Sequence, residues 1–172
     1  MSMAFDRLSR PVQKWIRAQG WTGLRPLQAD TIGAIMDGTA DLVVTASTAG
    51  GKTEAAFLPL ISQVLDDPRA GTGFDLLYLG PLKALITDQA RRLDDICHEA
   101  GLPVVPWHGD IAGSTKAKAL KDPRGILLIT PESLEALFVR RGNEVPRLFG
   151  ALRAVVIDEL HSVLDSERGG QM

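Results

Sequence analysis

The chain has 172 residues, 45% of them apolar and 23% charged, with a formal net charge of −2. This length and balance fit one globular domain and exclude a low-complexity or disordered chain. No apolar run approaches the roughly eighteen residues of a membrane span, and the N-terminal MSMAFDRLSR lacks the apolar core of a signal peptide, so no membrane partner is expected. The single cysteine, Cys97, excludes an internal disulfide framework and a multi-cysteine zinc site, and suits a reducing cytoplasm. The mild acidity leaves nucleic-acid binding open, because a basic stripe can occupy one face of an acidic protein.

Two helical patterns come first, at 6–18 and 26–36. The second opens on Pro26 and stops at Asp37-Gly38, which is good start and stop chemistry. Short runs rich in Val, Leu and Ile then read as strands at 41–47, 74–80, 103–107, 125–130 and 153–158. Near-continuous apolar character is what parallel strands buried on both faces require. Helical stretches at 51–65, 82–100, 114–121 and 132–141 lie between them, and 66–73 reads as a surface loop. This alternation predicts an α/β fold, an open parallel sheet with helices on both faces. In such sheets ligands bind at the carboxyl ends of the strands. TASTAGGKT, GPLKA, HGD, TPES and DELH each follow a predicted strand, and this shared placement counts for more than any one of them.

Ala46-Ser47-Thr48-Ala49-Gly50-Gly51-Lys52-Thr53 has the spacing of a phosphate loop, with Ala46 in place of the pattern's first glycine. Small residues let successive backbone N–H groups, here from Thr48, Ala49, Gly50 and Gly51, close around phosphate oxygens, and the following helix aims its positive end at them. Lys52 would reach the terminal phosphates and the Thr53 hydroxyl would ligate Mg²⁺. The matching carboxylates close the last strand, in Val155-Val156-Ile157-Asp158-Glu159. Asp158 would hold Mg²⁺ through water, and Glu159 would orient and polarise the attacking water. Two adjacent carboxylates repel, so they make more sense beside a cation. A site for ATP and Mg²⁺ is the expectation.

Asp158-Glu159-Leu160-His161 resembles the DExH box of superfamily 2 helicases, PLKAL at 81–85 their motif Ia, and Thr130-Pro131-Glu132 their motif Ib. Gln28 stands where that superfamily places its Q-motif glutamine. GKTEAAFLP, PLKAL and PVQKW…PLQ are similar to the large-helicase-related (Lhr) group, and DELHSVLDSERG to that group and to the Ski-type helicases. The resemblance runs along essentially the whole chain. It implies a RecA-like ATP-binding domain with a Q-motif region at 1–40 and a core at 41–172. Gln28 would read the adenine edge, since an amide offers both donor and acceptor, and Phe5 could pack on the base. His161 would link hydrolysis to the nucleic-acid side. Pro81, Lys83, Gly109, Thr130 and Glu132 would follow the sugar-phosphate backbone of one strand, contacts that carry no base information. The partner would be single-stranded or duplex nucleic acid, with DNA expected over RNA. Lys116, Lys118, Lys121 and Arg124, and separately Arg140 and Arg141, read first as solvated charge, and Trp107 first as core.

Superfamily 2 enzymes use two RecA-like domains. Nothing in this chain resembles motif III or a second such domain with its arginine finger, a group worth roughly 10³–10⁵ in rate. The chain is therefore expected to be part of a longer helicase, with a sheet incomplete at its C-terminal end and little activity by itself. Two alternatives share the fold: an ATP-driven duplex translocase that does not separate strands, and a non-catalytic regulatory phosphate-loop domain. A small phosphate-loop kinase would need an acceptor lid and a switch GTPase an Asn-Lys-x-Asp, and the sequence carries neither.

Overall fold

The computed structural model describes residues 3–38, 40–46, 51–68 and 71–160. The chain divides into two compact units, Met1–Pro68 and Arg69–Met172.

In the first unit four helices pack together: α1 (Met3–Asp6), α2 (Arg10–Ala18), α3 (Pro26–Asp37) and α4 (Lys52–Asp66). The helix expected at 6–18 is broken. Pro11 sits in the first turn of α2, and the residue before a proline disfavours helical backbone, so the chain restarts there. Phe5, Val12, Ile16, Ile32, Phe57, Leu58 and Ile61 form the core of this unit, each 2% exposed or less. Arg7 ties the first helical turn to the end of α3 through two hydrogen bonds to Asp37, at 2.9 and 2.7 Å.

The strand expected at 41–47 is absent among the described residues. Residues 41–46 carry no regular structure, and Leu42 and Val43 are 46% and 74% exposed. Their composition favours extended backbone, but a strand exists only where a neighbour accepts its hydrogen bonds. Ser47 lies outside the described residues.

The second unit holds the other four strands: β1 (Leu76–Leu79), β2 (Val104–Trp107), β3 (Ile126–Ile129) and β4 (Ala154–Ile157). All pairings are parallel, in the order β2-β3-β1-β4. Strands β1 and β3 are buried at every position and lie centrally. The edge strand β2 accommodates Pro106, which could not donate to a ladder in the middle of the sheet. Helices α5 (Lys83–His98), α6 (Gly113–Lys121), α7 (Pro131–Arg141) and α8 (Val145–Phe149) supply the crossovers; the short α8, which opens on Val145-Pro146, lies outside every expected helix. Side-chain alternation sorts the two faces. Leu77, Leu79, Trp107, Leu127 and Ile129 pack with Ala119 of α6, Leu137 of α7 and Leu148 of α8. Helix α5 lies against β2 and β3, with Ile86 beside Gly80, on the face shared by Leu76 and Tyr78. The expected helices on both faces are present. At the other edge, β4 leaves Val155 and Ile157 47% and 42% exposed.

Candidate nucleotide and nucleic-acid site

In the first unit, α4 begins at Lys52 directly after Gly51, whose backbone is left-handed at φ 75°, ψ 30°. That conformation suits glycine because a Cβ would crowd the following carbonyl. A side chain there would also lie 2.9 Å from the Gln28 amide nitrogen. Gln28 is 2% exposed, and its Oε1 accepts the Arg25 backbone N–H at 3.0 Å, closing a capping box at the start of α3. The glutamine is thus packed against the start of α4 rather than displayed on the surface. Lys52 Nζ donates to the Ala46 carbonyl at 3.2 Å, so the ammonium folds back over the preceding loop. Thr53, half-buried, is the second residue of α4. Phe5 is buried, with the Arg17 guanidinium 5.2 Å from its ring centroid, which matches a core role. Thr48, Ala49 and Gly50 lie outside the described residues.

In the second unit the parallel register aligns the strand ends. Leu79 pairs with Ile129 and Ile157, and Trp107 with Ile129. The next residue of each strand therefore falls in one row along the carboxyl edge: His108, Thr130, Gly80, Asp158. Ladder bonds carry the row onward, with Gly80 N–H on the Ile129 carbonyl at 3.2 Å and Asp158 N–H on the Leu79 carbonyl at 2.9 Å.

Asp158 is held from two sides. The Tyr78 hydroxyl donates to Oδ2 at 2.7 Å and the Glu159 backbone N–H to Oδ1 at 2.9 Å. Burial, and then the Asp158 carboxylate, push the Tyr78 pKa well above the ordinary phenol value. Its hydroxyl therefore stays a donor. Glu159 is the one non-glycine residue with positive φ, at 50°, among the described residues; such backbone is uncommon outside glycine and is held by its surroundings. His161 lies outside the described residues.

At the neighbouring strand ends, Lys83 at the start of α5 donates to both Asp110 oxygens at 3.0 and 3.2 Å. The Lys83 hydrogen bond holds the Asp110 carboxyl below the usual carboxylate range. Gly109 lies beneath this pair, and a Cβ there would come 3.3 Å from Lys83 Nζ. His108, buried, accepts the Asp110 N–H through Nδ1 at 3.4 Å and meets Thr87 Oγ1 through Nε2 at 3.2 Å. Thr130 caps α7: its hydroxyl accepts the Ser133 N–H at 3.4 Å and donates to Ser133 Oγ at 3.1 Å. Glu132 sits in the first turn of that helix and Pro81 just before α5. Lys116 lies 5.6 Å from the Trp107 ring centroid, and Trp107 belongs to the core. Arg124 and Arg141 pair with Asp122 and Glu144. Tyr78 and Thr87 are the members of this edge that sequence reasoning missed. Tyr78 reads as one more apolar position within LLYL, and only the cross-strand register reveals its partner.

A parallel sheet whose strand-to-helix loops share one edge, with helices on both faces and a glycine-preceded Lys-Thr opening a helix, has the RecA-like fold of helicase ATP-binding domains. The DEAD/DEAH box helicase family profile matches residues 25–172, and the chain belongs to that family. It is 32% identical to the Lhr helicase/probable uracil glycosylase of Mycolicibacterium smegmatis, over 96% of this chain and 12% of that protein. It is 31% identical to the ATP-dependent helicase Lhr-Core protein 2 of Thermococcus barophilus, over 96% of this chain and 20% of that one. Among solved structures, helicase Lhr of Mycobacterium smegmatis bound to ssDNA and AMP-PNP superposes with a TM-score of 0.77 at 31% identity, over 98% of this chain and 22% of that chain. The chain thus spans about an eighth to a fifth of the length of these relatives. Among the described residues, no helix is long and apolar enough to cross a membrane.

Proposed function

We propose that residues 1–172 form the ATP-binding domain of an ATP-dependent nucleic-acid helicase or translocase of the Lhr kind, acting in the cytoplasm. The observation that carries the reading is the row of motif residues along one sheet edge, ending in an Asp158 carboxylate fixed by two donors. Lys52, with the backbone of Thr48, Ala49, Gly50 and Gly51, would hold the phosphates. Gln28 would read adenine through the amide hydrogens of its Nε2, since Oε1 already serves the Arg25 N–H. Thr53 and Asp158 would hold Mg²⁺, and Glu159 would orient the attacking water.

The donor set fits that ion. Hydroxyl and carboxylate oxygens suit a hard cation, and Mg²⁺ is usually held by one or two carboxylates together with substrate phosphates rather than by an all-protein cage. When bound, Mg²⁺ would neutralise charge developing on the phosphates.

Pro81, Lys83, Gly109 and Glu132 would contact the sugar-phosphate backbone of one strand, with Thr130 shaping the turn that presents Glu132. DNA is the proposed strand, supported by the likeness to a solved Lhr helicase bound to ssDNA. The test is titration of the 172-residue chain with a fluorescent ATP analogue and Mg²⁺, and with labelled DNA and RNA strands of one sequence. Lys52→Ala should abolish nucleotide binding, Lys83→Ala should weaken strand binding, and DNA should bind more tightly than RNA. Unchanged nucleotide affinity in Lys52→Ala would remove the phosphate-loop assignment.

A further inference from the structure

We propose that Tyr78 is a positioning residue for Asp158, and that its hydroxyl sets how tightly the domain takes up Mg²⁺ with nucleotide. The inference rests on the reading of Asp158 as a magnesium ligand and adds to it the group that orients the carboxylate.

The placement follows from strand geometry. Tyr78 pairs with Val156, so Asp158 lies two residues further along the neighbouring strand on the same face. That diagonal is too long for most side chains and within reach of an aromatic one. The residue directly opposite Asp158, by continuation of the register, is Gly80. A Cβ at 80 would lie 2.8 Å from Tyr78 Cε1 and 3.3 Å from both its hydroxyl and Ile86 Cδ1. The missing side chain at 80 is therefore the space through which the Tyr78 ring crosses to the next strand. Ile86 of α5 closes the far side of that space, and the ring is 2% exposed, which leaves it no other direction.

A hydrogen bond of 2.7 Å to a carboxylate is a charge-assisted contact. With the Glu159 N–H on the other oxygen, it stops the carboxylate turning about its side-chain torsions. Each oxygen keeps a lone pair for a water of the ion's hydration shell, so the two donors orient Asp158 without using up its capacity to accept. A free carboxylate would have to lose that rotational freedom when the ion arrives.

Tyr78→Phe keeps the ring in its slot and removes only the donor. The 172-residue chain and this variant are titrated with Mg²⁺ in the presence of a fluorescent non-hydrolysable ATP analogue, alongside affinity measured in EDTA and thermal melting by circular dichroism. Wild-type affinity is expected to tighten with Mg²⁺. The variant should match wild type in EDTA affinity and melt only modestly lower, while the Mg²⁺ concentration at half-effect rises about tenfold, the scale of one hydrogen bond to a charged group. Asp158→Asn should lose the Mg²⁺ effect altogether. A Mg²⁺ midpoint in Tyr78→Phe equal to wild type, with Asp158→Asn defective, overturns the role of Tyr78 alone. Equal loss of EDTA affinity and melting in Tyr78→Phe also overturns it, by making the residue merely structural. An Asp158→Asn titration identical to wild type instead overturns the magnesium reading of Asp158.

Discussion

A side chain at position 51 would strain its left-handed backbone, and would also require the Gln28 amide, 2.9 Å away, to shift. Gly51→Ala should therefore lower stability by about 1–3 kcal/mol, read as a shift in the urea midpoint with an unchanged slope. The glycine was visible in the phosphate-loop pattern, but its second constraint was not, because Gln28 lies far away in sequence and meets Gly51 only after α3 packs on α4. Cys97 is the opposite case. Its apolar neighbours Ile96 and Leu93 already mark a helix interior, and the structure leaves it fully buried. Burial, aided by the nearby Asp94 carboxylate, pushes the thiol pKa up to about 12. Since the thiolate is the reactive form, Cys97 should resist an aromatic disulfide reagent at pH 8 in the native chain. It should react promptly once urea unfolds the protein.

At the scale of elements, parallel strands and crossover helices were legible because short apolar runs alternate with helical stretches from residue 74 to 158, with only the short α8 unread. What composition could not supply was pairing. The run at 41–46 shares a Val-Val pair with β4, yet one is irregular and the other lies in a ladder. Neighbours decide the difference, and they are not written in the segment itself. The same limit hid the cross-strand contact of Tyr78, whereas the strand-end row emerged as soon as every strand was read as parallel. Short-range chemistry was more transparent. Thr130-Pro131-Glu132-Ser133 reads as a helix start, and its threonine does cap α7. Thr130→Ala should cost about 1 kcal/mol, and Thr130→Ser should restore most of it. At Gly80, any Cβ enters the space held by the Tyr78 ring. Gly80→Ala is expected to cost about 1–3 kcal/mol through overpacking of a β-sheet interior, measured by urea unfolding.

For the whole molecule, the exposed ion pairs fix how stability responds to acid. Arg7 hydrogen-bonds Asp37, Lys83 hydrogen-bonds Asp110, and Arg147 and Arg141 both hydrogen-bond Glu144. In each case the side-chain hydrogen bond is the largest cause of a carboxyl pKa held below its ordinary value, 3.8 for the aspartates and 4.5 for the glutamate. A carboxylate depressed in the folded state binds its proton less readily there than in the unfolded chain. The unfolded state therefore takes up protons first as pH falls, and stability falls with it. These contributions are fully present above the ordinary values and disappear as pH drops through the lower folded ones. All three carboxylates face solvent, so each pair is weak and screened by salt. The urea midpoint should hold steady from neutral pH down to about 5 and decline below that. Added sodium chloride at about 1 M should flatten the decline. Asp37→Asn should remove part of the acid slope by lowering the neutral-pH midpoint slightly, while the midpoints of variant and wild type converge in acid. An acid slope identical in Asp37→Asn and wild type, at low salt, would assign the acid sensitivity to other groups.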